Sequence, residues 1–99
     1  MRLRWTRLAS GDLDHIEEYI AEDDPLIAID VVLRVIGKVE LILPSHPTAG
    51  RMGRVEGTRE LVIHGLPFVV VYREFTGEIQ ILRVLRDSQQ WPPLESHAF

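Results

Sequence analysis

Residues 58–85 have the sequence TRELVIHGLPFVVVYREFTGEIQILRVL, and the fold class follows mainly from the pattern of these residues. Alternating and β-branched side chains predict three strands, over 58–64, 68–73 and 79–85. Between them, Gly65-Leu66-Pro67 and Thr76-Gly77-Glu78 have the composition of tight turns. Because short turns join antiparallel neighbours, the stretch predicts an antiparallel three-stranded meander.

The residues before position 24 predict a strand and then a helix. Polar and apolar side chains alternate as far as Thr6, which is the period of a half-buried strand, so a strand is predicted over 2–7. Ser10 has the side chain of an N-cap, and apolar residues recur after it at helical spacing. A first helix is therefore predicted over 10–22.

A second helix is predicted directly after the first. Asp24 is a favourable N-cap, Pro25 suits the first helical position, and Pro44 ends the pattern, so the helix is expected over 25–43. The fold class expected from all these elements is α+β. It comprises an N-terminal strand, a two-helix hairpin and the antiparallel three-stranded meander in one sheet.

The remaining segments have weaker patterns. Residues 45–57 are rich in Pro, Gly and Arg, which predicts a loop or a weakly paired stretch. A short turn is expected over 87–91 and a flexible tail over 93–99. A chain of 99 residues is long enough for one core, so residues 1–99 are expected to form a single domain.

The composition excludes several classes of protein. The chain has no cysteine, which excludes disulfide frameworks, cysteine zinc sites and thiol catalysis. Charged residues interrupt the longest apolar run and no signal-peptide pattern is present, so a cytoplasmic protein without a membrane anchor is expected. His15 is followed by Glu17 and Glu18 but lacks the second histidine of a metal-binding helix, and neither a metal nor another cofactor is expected.

Charge is distributed unevenly along the chain. The net charge of −4 disfavours nonspecific binding of nucleic acid. Eight acids and no Lys or Arg occur from Asp12 to Asp30, whereas six arginines and four glutamates occur from Arg51 to Arg86. We therefore expect an acidic side and an arginine-rich side. The second helix has more apolar circumference than one core contact requires, which fits either burial on two sides or a partner-binding face.

Two arginines lie at positions where the strand pattern is otherwise apolar. Arg83 alternates in step with Ile81 and Leu85, and Arg59 does the same in its own strand. A buried arginine is costly without a partner. Both side chains are therefore expected to have a specific role.

Two roles for these arginines remain open. They could pair with the acids Glu60, Glu74 or Glu78 at the sheet edge. Alternatively, they could form a surface that binds an anion, either a phosphate or a partner's carboxylate, because guanidinium groups match both. Further candidate residues for binding an anion or a target are Arg51, Arg54, Arg86, Gln90 and Trp91.

The ordered motifs of the chain resemble the RelE/ParE family of toxins from bacterial toxin–antitoxin modules. The motifs are Gly50-Arg51, Gly57-Thr58-Arg59-Glu60-Leu61, Tyr72-Arg73 and the closing run from Ile81 to Pro92. The resemblance includes the order of strand, two helices and three strands, and it extends over residues 2–92.

The resemblance implies a toxin that a cognate antitoxin neutralises by direct binding and that meets operator DNA only through that antitoxin. ParE-like members poison DNA gyrase and are not thought to be enzymes, whereas RelE-like members cleave mRNA on the ribosome. In an RNase, Arg59 and Arg83 would stabilise phosphate charge, and Arg86 would occupy a position where many relatives have a histidine. Arginine exchanges protons poorly near neutral pH, and Lys38 is the only lysine, so the ParE-like branch is favoured.

The antitoxin is expected to contact the two helices. The residues predicted to contact it are Leu13, Ile16, Tyr19, Ile20, Val31 and Val35. A third alternative is an α+β interaction module without toxicity, which a neighbouring gene for a small antitoxin would exclude.

Overall fold

The computed structural model describes residues 1–92, so the expected tail at 93–99 lies outside the described residues. The elements in chain order are β1 (Arg2–Trp5), α1 (Arg7–Ala21), α2 (Pro25–Ile42), β2 (Arg51–Met52), β3 (Arg59–Ile63), β4 (Phe68–Phe75) and β5 (Glu78–Arg86). They form one five-stranded sheet in the order β1-β5-β4-β3-β2. The predicted α+β fold and its meander are confirmed. The sheet is mixed because β1 lies parallel to β5 at one edge.

The first helix begins at Arg7, so the prediction that Ser10 is its N-cap is wrong. Thr6 is the N-cap, and its Oγ1 accepts a hydrogen bond of 3.3 Å from the backbone N–H of Ala9. The same hydroxyl donates to the carbonyl of Ile81 at 2.7 Å, which ties the helix to β5. The first strand therefore ends earlier than predicted, because Thr6 lies at the turn from the sheet edge into α1.

The second helix begins as predicted. Asp24 Oδ1 accepts hydrogen bonds from the backbone N–H groups of Leu26 and Ile27 at 3.0 and 3.2 Å, and Pro25 occupies the first turn. Its buried side chains recur at helical spacing and are Ala28, Val31, Val35 and Val39. Neither helix of the described chain is long and apolar enough to cross a membrane.

The opposite side of α2 is apolar and exposed. We call this set the outer row, and it consists of Leu26, Ile29, Leu33 and Leu41. The exposed fractions of Leu26 and Leu33 are 79% and 62%. Of the two alternatives for this helix, burial on two sides is therefore wrong for the chain alone, and a surplus apolar face is present.

A β-bulge in β5 changes which side chains share a face of the sheet. The register pairs Val71 with Arg83 and Tyr72 with Ile81. Leu82 is therefore an extra residue on β5, opposite no residue of β4. Ile81 packs in the core beneath the helices, whereas Leu85 packs on the other face. The prediction that Ile81, Arg83 and Leu85 share one face is wrong, because the strict period of two fails at a bulge.

The face of the sheet away from the helices has its own small apolar cluster. Its buried members are Val71, Leu82, Leu85 and Trp91, and Val55 packs against them. Trp91 reaches this cluster because the chain turns back after β5, where the Gln89 N–H donates to the Arg86 carbonyl at 3.0 Å. The turn predicted over 87–91 thus places the indole of Trp91 against the face of the sheet away from the helices.

Residues 45–57 form a loop that includes the two-residue strand β2, so the expected weakly paired stretch is present. Two glycines in it are required by close packing. A Cβ at Gly50 would overlap the ring of Tyr72, and a Cβ at Gly53 would overlap the side chain of Thr58. These glycines thus let the loop lie directly against β3 and β4.

Candidate functional site

A cavity of about 470 Å³ lies between α1 and the end of β5. We call it the polar cavity. Asp12, His15 and Ile16 line its α1 side because a helix places residues three and four positions apart on one face. The other side is formed by Arg83, Val84, Arg86, Ser88 and Gln89. Two of the three arginines predicted for an RNase site therefore lie at one cavity.

Within the polar cavity, Arg83 forms a two-pronged ion pair with Asp12. Its Nε donates to Asp12 Oδ2 at 2.8 Å, and its Nη2 donates to Asp12 Oδ1 at 2.9 Å. The two side chains are only 19% and 13% exposed. The hydrogen bond from Arg83 to Asp12 raises the pKa of Arg83, against the opposing effect of burial. The positive charge of Arg83 is thus already matched by a carboxylate of the same chain.

The position of Asp12 follows from the early end of β1. That strand pairs with β5 only as far as Trp5 opposite Ile81, so the edge of β5 beyond this point has no neighbouring strand. Asp12 Oδ2 accepts a hydrogen bond of 2.8 Å from the backbone N–H of Val84 at this edge. The predicted acidic partners Glu60, Glu74 and Glu78 are therefore wrong for Arg83, which pairs with an α1 residue.

Arg83 also connects the cavity to the far face of the sheet. Its guanidinium carbon lies 5.5 Å from the centroid of the Trp91 ring. Trp91 was predicted to bind a target, but its side chain is buried in the small apolar cluster. Gln90, predicted for the same role, is exposed.

Arg86 lies at the rim of the polar cavity in a different environment. Its guanidinium carbon lies 4.6 Å from the centroid of the Tyr19 ring, which is a cation–π contact between β5 and α1. None of the ion pairs found within residues 1–92 involves Arg86. The residue therefore offers a positive charge at the surface that no carboxylate of the described chain matches.

Arg59 belongs to a separate part of the molecule. It lines a cavity of about 310 Å³ together with Tyr72 and Arg73, and it donates to the Gly50 carbonyl at 2.9 Å. The Tyr72 hydroxyl donates to the Pro47 carbonyl and accepts from the Gly50 N–H, both at 2.8 Å. Burial raises the pKa of Tyr72. The structure thus uses Arg59 to hold the loop and does not place it at the polar cavity.

Arg51 and Arg54, predicted to bind an anion, bind a carboxylate of the chain itself. Glu60 is 1% exposed, and its carboxylate accepts hydrogen bonds from Arg51 and Arg54 side chains, each at 3.1 Å. It also accepts from the Arg54 backbone N–H at 2.9 Å. Burial alone would raise the pKa of Glu60, but the hydrogen bonds from Arg54 and Arg51 together lower it. The predicted pairing of Glu60 with Arg59 is wrong.

The predicted antitoxin-contact residues divide into two groups. Leu13, Val31 and Val35 are buried in the core, so they offer little exposed surface to a partner. Ile16, Tyr19 and Ile20 are at least partly exposed. Together with Val31 they line a second cavity of about 300 Å³, completed by Leu66, Pro67, Phe68 and Arg86, which we call the apolar cavity.

Sequence reasoning missed Asp12 and His15 as site residues. From the sequence, His15 is considered only as a metal ligand and Asp12 only as part of an acidic side. The available signal was their spacing, since Asp12, His15, Ile16 and Tyr19 follow the helical repeat of one face. No cluster of three or more acidic or histidine side chains suited to a metal ion occurs in the part of the chain described.

Comparisons with known proteins agree with this architecture. Residues 3–91 match the family model described as the ParE toxin of the type II toxin–antitoxin system parDE. A Sinorhizobium fredii protein with the name "Putative toxin Y4kP" is 44% identical over 91 residues, which cover 92% of this chain and 93% of that protein.

Two solved toxin–antitoxin structures are also similar. A chain of the chromosomal ParDE system from P. aeruginosa superposes with a TM-score of 0.80 at 37% identity, covering 87% of this chain and 95% of that chain. A chain of the Mycobacterium tuberculosis RelBE2 toxin–antitoxin complex gives a TM-score of 0.52 at 25% identity, covering 86% of this chain and 95% of that chain.

Proposed function

Because the chain belongs to the ParE toxin family of type II toxin–antitoxin systems, we propose that it inhibits growth by acting on DNA gyrase. We also propose that a cognate antitoxin neutralises it by direct binding. The chain would bind both gyrase and the antitoxin in the cytoplasm. The protein would then be a binding inhibitor and not an enzyme.

The observation that supports gyrase over mRNA as the target is the pairing of Arg83 with Asp12. An RNase needs cations that are free to stabilise charge developing on the scissile phosphate. Arg83 already donates two hydrogen bonds to a carboxylate, and a phosphate placed beside Asp12 would meet a negative charge. Arg59 is directed to the loop carbonyls and lines another cavity. Arg59 and Arg83 therefore do not form one basic site around a phosphate.

One observation favours the second candidate, a ribosome-dependent endoribonuclease. His15 lines the polar cavity with Arg83 and Arg86. Arginine cannot readily act as a general acid or base at neutral pH, but histidine can. His15 would thus supply the proton-transfer group that the sequence near Arg86 lacks.

An assay with purified components separates the two candidates. The chain is added to gyrase with supercoiled DNA, and separately to ribosomes translating a defined mRNA. We expect inhibition of supercoiling with accumulation of DNA breaks, and intact mRNA. Cleavage of mRNA that His15→Ala abolishes and His64→Ala preserves would overturn the gyrase proposal, since His64 is an exposed histidine outside the polar cavity.

The antitoxin proposal has its own test. The chain is expressed alone and then together with each small protein that its flanking genes are found to encode, and growth and co-purification are measured. We expect that the neighbour restores growth and elutes with the chain. A neighbour that neither binds nor restores growth would contradict the antitoxin proposal, and a chain that does not inhibit growth when expressed alone would favour the nontoxic interaction module.

A further inference from the structure

The outer row of α2 has a helical repeat that fits packing against a second helix. Its first three members, Leu26, Ile29 and Leu33, are three and four residues apart, which is the spacing at which helices pack together. Gly37 and Leu41 continue the row at intervals of four residues. A helix of 18 residues is about 27 Å long, so the row extends along most of one side of α2.

Nothing in the described chain covers this row. All four of its members are exposed, and none of them lines the polar cavity or the apolar cavity. An occupant of the row would therefore leave both cavities open. Exposed apolar side chains that form a continuous surface indicate contact with another macromolecule.

Gly37 makes a notch in the outer row. It is exposed, and a Cβ at this position would contact no other side chain within 4 Å. A two-fold axis that crosses α2 at Leu33 would place Gly37 of one copy opposite Ile29 of the other, since the two residues lie four positions from Leu33 in opposite directions. Ile29 would then fill the notch of the other copy, and the two Leu33 side chains would meet at the axis. The row is thus complementary in shape to an antiparallel copy of itself.

The charged residues beside the row favour the same arrangement. Asp30, Arg34 and Lys38 follow one flank of the row at intervals of four residues, and all three are exposed. Arg34 Nη1 lies 3.9 Å from Asp30 Oδ2, and both side chains are more than half exposed, so both can also interact with another chain. An antiparallel copy presents this flank in reverse order, so Asp30 of each copy would lie between Arg34 and Lys38 of the other. The opposed helix dipoles of such a pair are also favourable.

We infer that two copies of the chain associate through the outer rows of their α2 helices, which pack antiparallel about a two-fold axis at Leu33. The footprint of one such helix, about 27 Å by 10 Å, is smaller than the roughly 800 Å² per partner of a stable interface. The dimer is therefore expected to be weak and to form only as the protein concentration rises. This inference goes beyond the proposed function and does not depend on it, because it concerns the chain alone.

Disulfide cross-linking tests the position of the axis. The chain has no cysteine, so Leu33→Cys introduces a single thiol, and an axis at this residue would bring the thiols of two copies together. We expect mild oxidation to give a covalent dimer. The matched control is Leu8→Cys, because Leu8 is a leucine of α1 that is 56% exposed, close to the 62% of Leu33. A yield of covalent dimer that is no higher for Leu33→Cys than for the control would overturn the inference.

Sedimentation equilibrium at increasing concentration measures the association without a cross-link. We expect Leu33→Ser to weaken dimerisation by about tenfold or more, and Leu8→Ser by less than about threefold. Melting temperatures check that both variants fold. A wild-type chain that stays monomeric at every concentration, or a dimer that Leu33→Ser leaves unchanged, would overturn the inference.

Reversed charges test the antiparallel order. Asp30→Lys alone, and Arg34→Glu combined with Lys38→Glu, should each weaken self-association by about threefold or more, because like charges then meet. An equimolar mixture of the two variants should associate again, since each altered flank meets its complement, and added salt should reduce this recovery. A mixture that associates no better than either variant alone would overturn the antiparallel arrangement. None of these outcomes bears on gyrase or on the antitoxin, so the proposed function is tested separately.

Discussion

Asp12 in α1 and Arg83 in β5 are 71 residues apart in sequence, yet the carboxylate of one accepts two hydrogen bonds from the guanidinium of the other. The pair joins the helical layer to the sheet at the point where β1 has ended. Because the side chains are mostly buried, each group depends on the other for compensation of its charge.

Removing one member of this pair should destabilise the fold. We expect Arg83→Ala to lower the free energy of unfolding by about 2–3 kcal/mol, because it leaves Asp12 without its counter-ion. Chemical denaturation measures this value, and Arg7→Ala provides the control at an exposed arginine, with an expected change below about 0.5 kcal/mol.

A double-mutant cycle measures the free energy of the interaction between Asp12 and Arg83. Asp12→Ala combined with Arg83→Ala should cost less than the sum of the single changes by about 1 kcal/mol or more. Additive losses would show that the two side chains contribute independently, contrary to the geometry.

The stability of the protein should depend on Glu60 at acidic pH. The pKa of Glu60 is lowered from its ordinary value of 4.5, so the unfolded chain binds the proton more readily. The contribution of Glu60 is therefore present above pH 4.5 and is lost as the pH falls through the lowered pKa of the folded state. Glu60→Gln should flatten this acid decline, measured as melting temperature against pH. The exposed variant Glu18→Gln should retain the decline seen in the wild type.

Two glycine substitutions should have opposite effects. Gly53→Ala forces a Cβ against Thr58 and should destabilise the protein by about 1–3 kcal/mol. Gly37→Ala places a methyl group in open space on α2 and should stabilise it by up to about 1 kcal/mol, because alanine has the higher helix propensity. Thermal unfolding of the two variants checks both signs, and a Gly53→Ala variant as stable as the wild type would contradict the packing of the loop against Thr58.

The outer row of α2 should limit the solubility of the chain alone. Leu33→Ser should raise the solubility limit with little change in melting temperature, because Leu33 is 62% exposed. Val35→Ser on the buried side should instead cost about 3 kcal/mol or more, because it leaves a cavity and buries a hydroxyl. Solubility that does not change with Leu33→Ser would mean that the outer row does not govern self-association.

Bound antitoxin should also stabilise the chain. At a concentration one hundred times the dissociation constant, the expected gain is about 2.7 kcal/mol in the free energy of unfolding. An unchanged melting temperature under those conditions would indicate that the two proteins do not form a complex.

Much of the fold could be predicted from local signals. The meander follows from alternation and turn composition, and the start of α2 follows from Asp24 and Pro25. The start of α1 was placed too late because two hydroxyl residues, Thr6 and Ser10, compete for the cap. The hydroxyl of Thr6 also donates to the Ile81 carbonyl, a contact between residues distant in sequence that no local pattern reveals.

The candidate site was less accessible to prediction because its contacts are long-range. Asp12 and His15 join Arg83 and Arg86 only after α1 packs beside β5. The face predicted for Arg83 depended on an unbroken strand period. An extra leucine among apolar residues leaves no local mark of a bulge, so that assumption failed without a warning in the sequence.

The bulge at Leu82 explains how Ile81 and Val84 can both lie in the core although three positions separate them. Because Leu82 lies opposite no residue of β4, deleting it would leave Ile81 opposite Tyr72 and Arg83 opposite Val71. The alternation along β5 would then be regular, and each remaining residue would keep its present face of the sheet. A sequence alignment that places the gap of a shorter relative at Leu82 would therefore match side chains on the same face, whereas a gap placed elsewhere in β5 would match side chains on opposite faces.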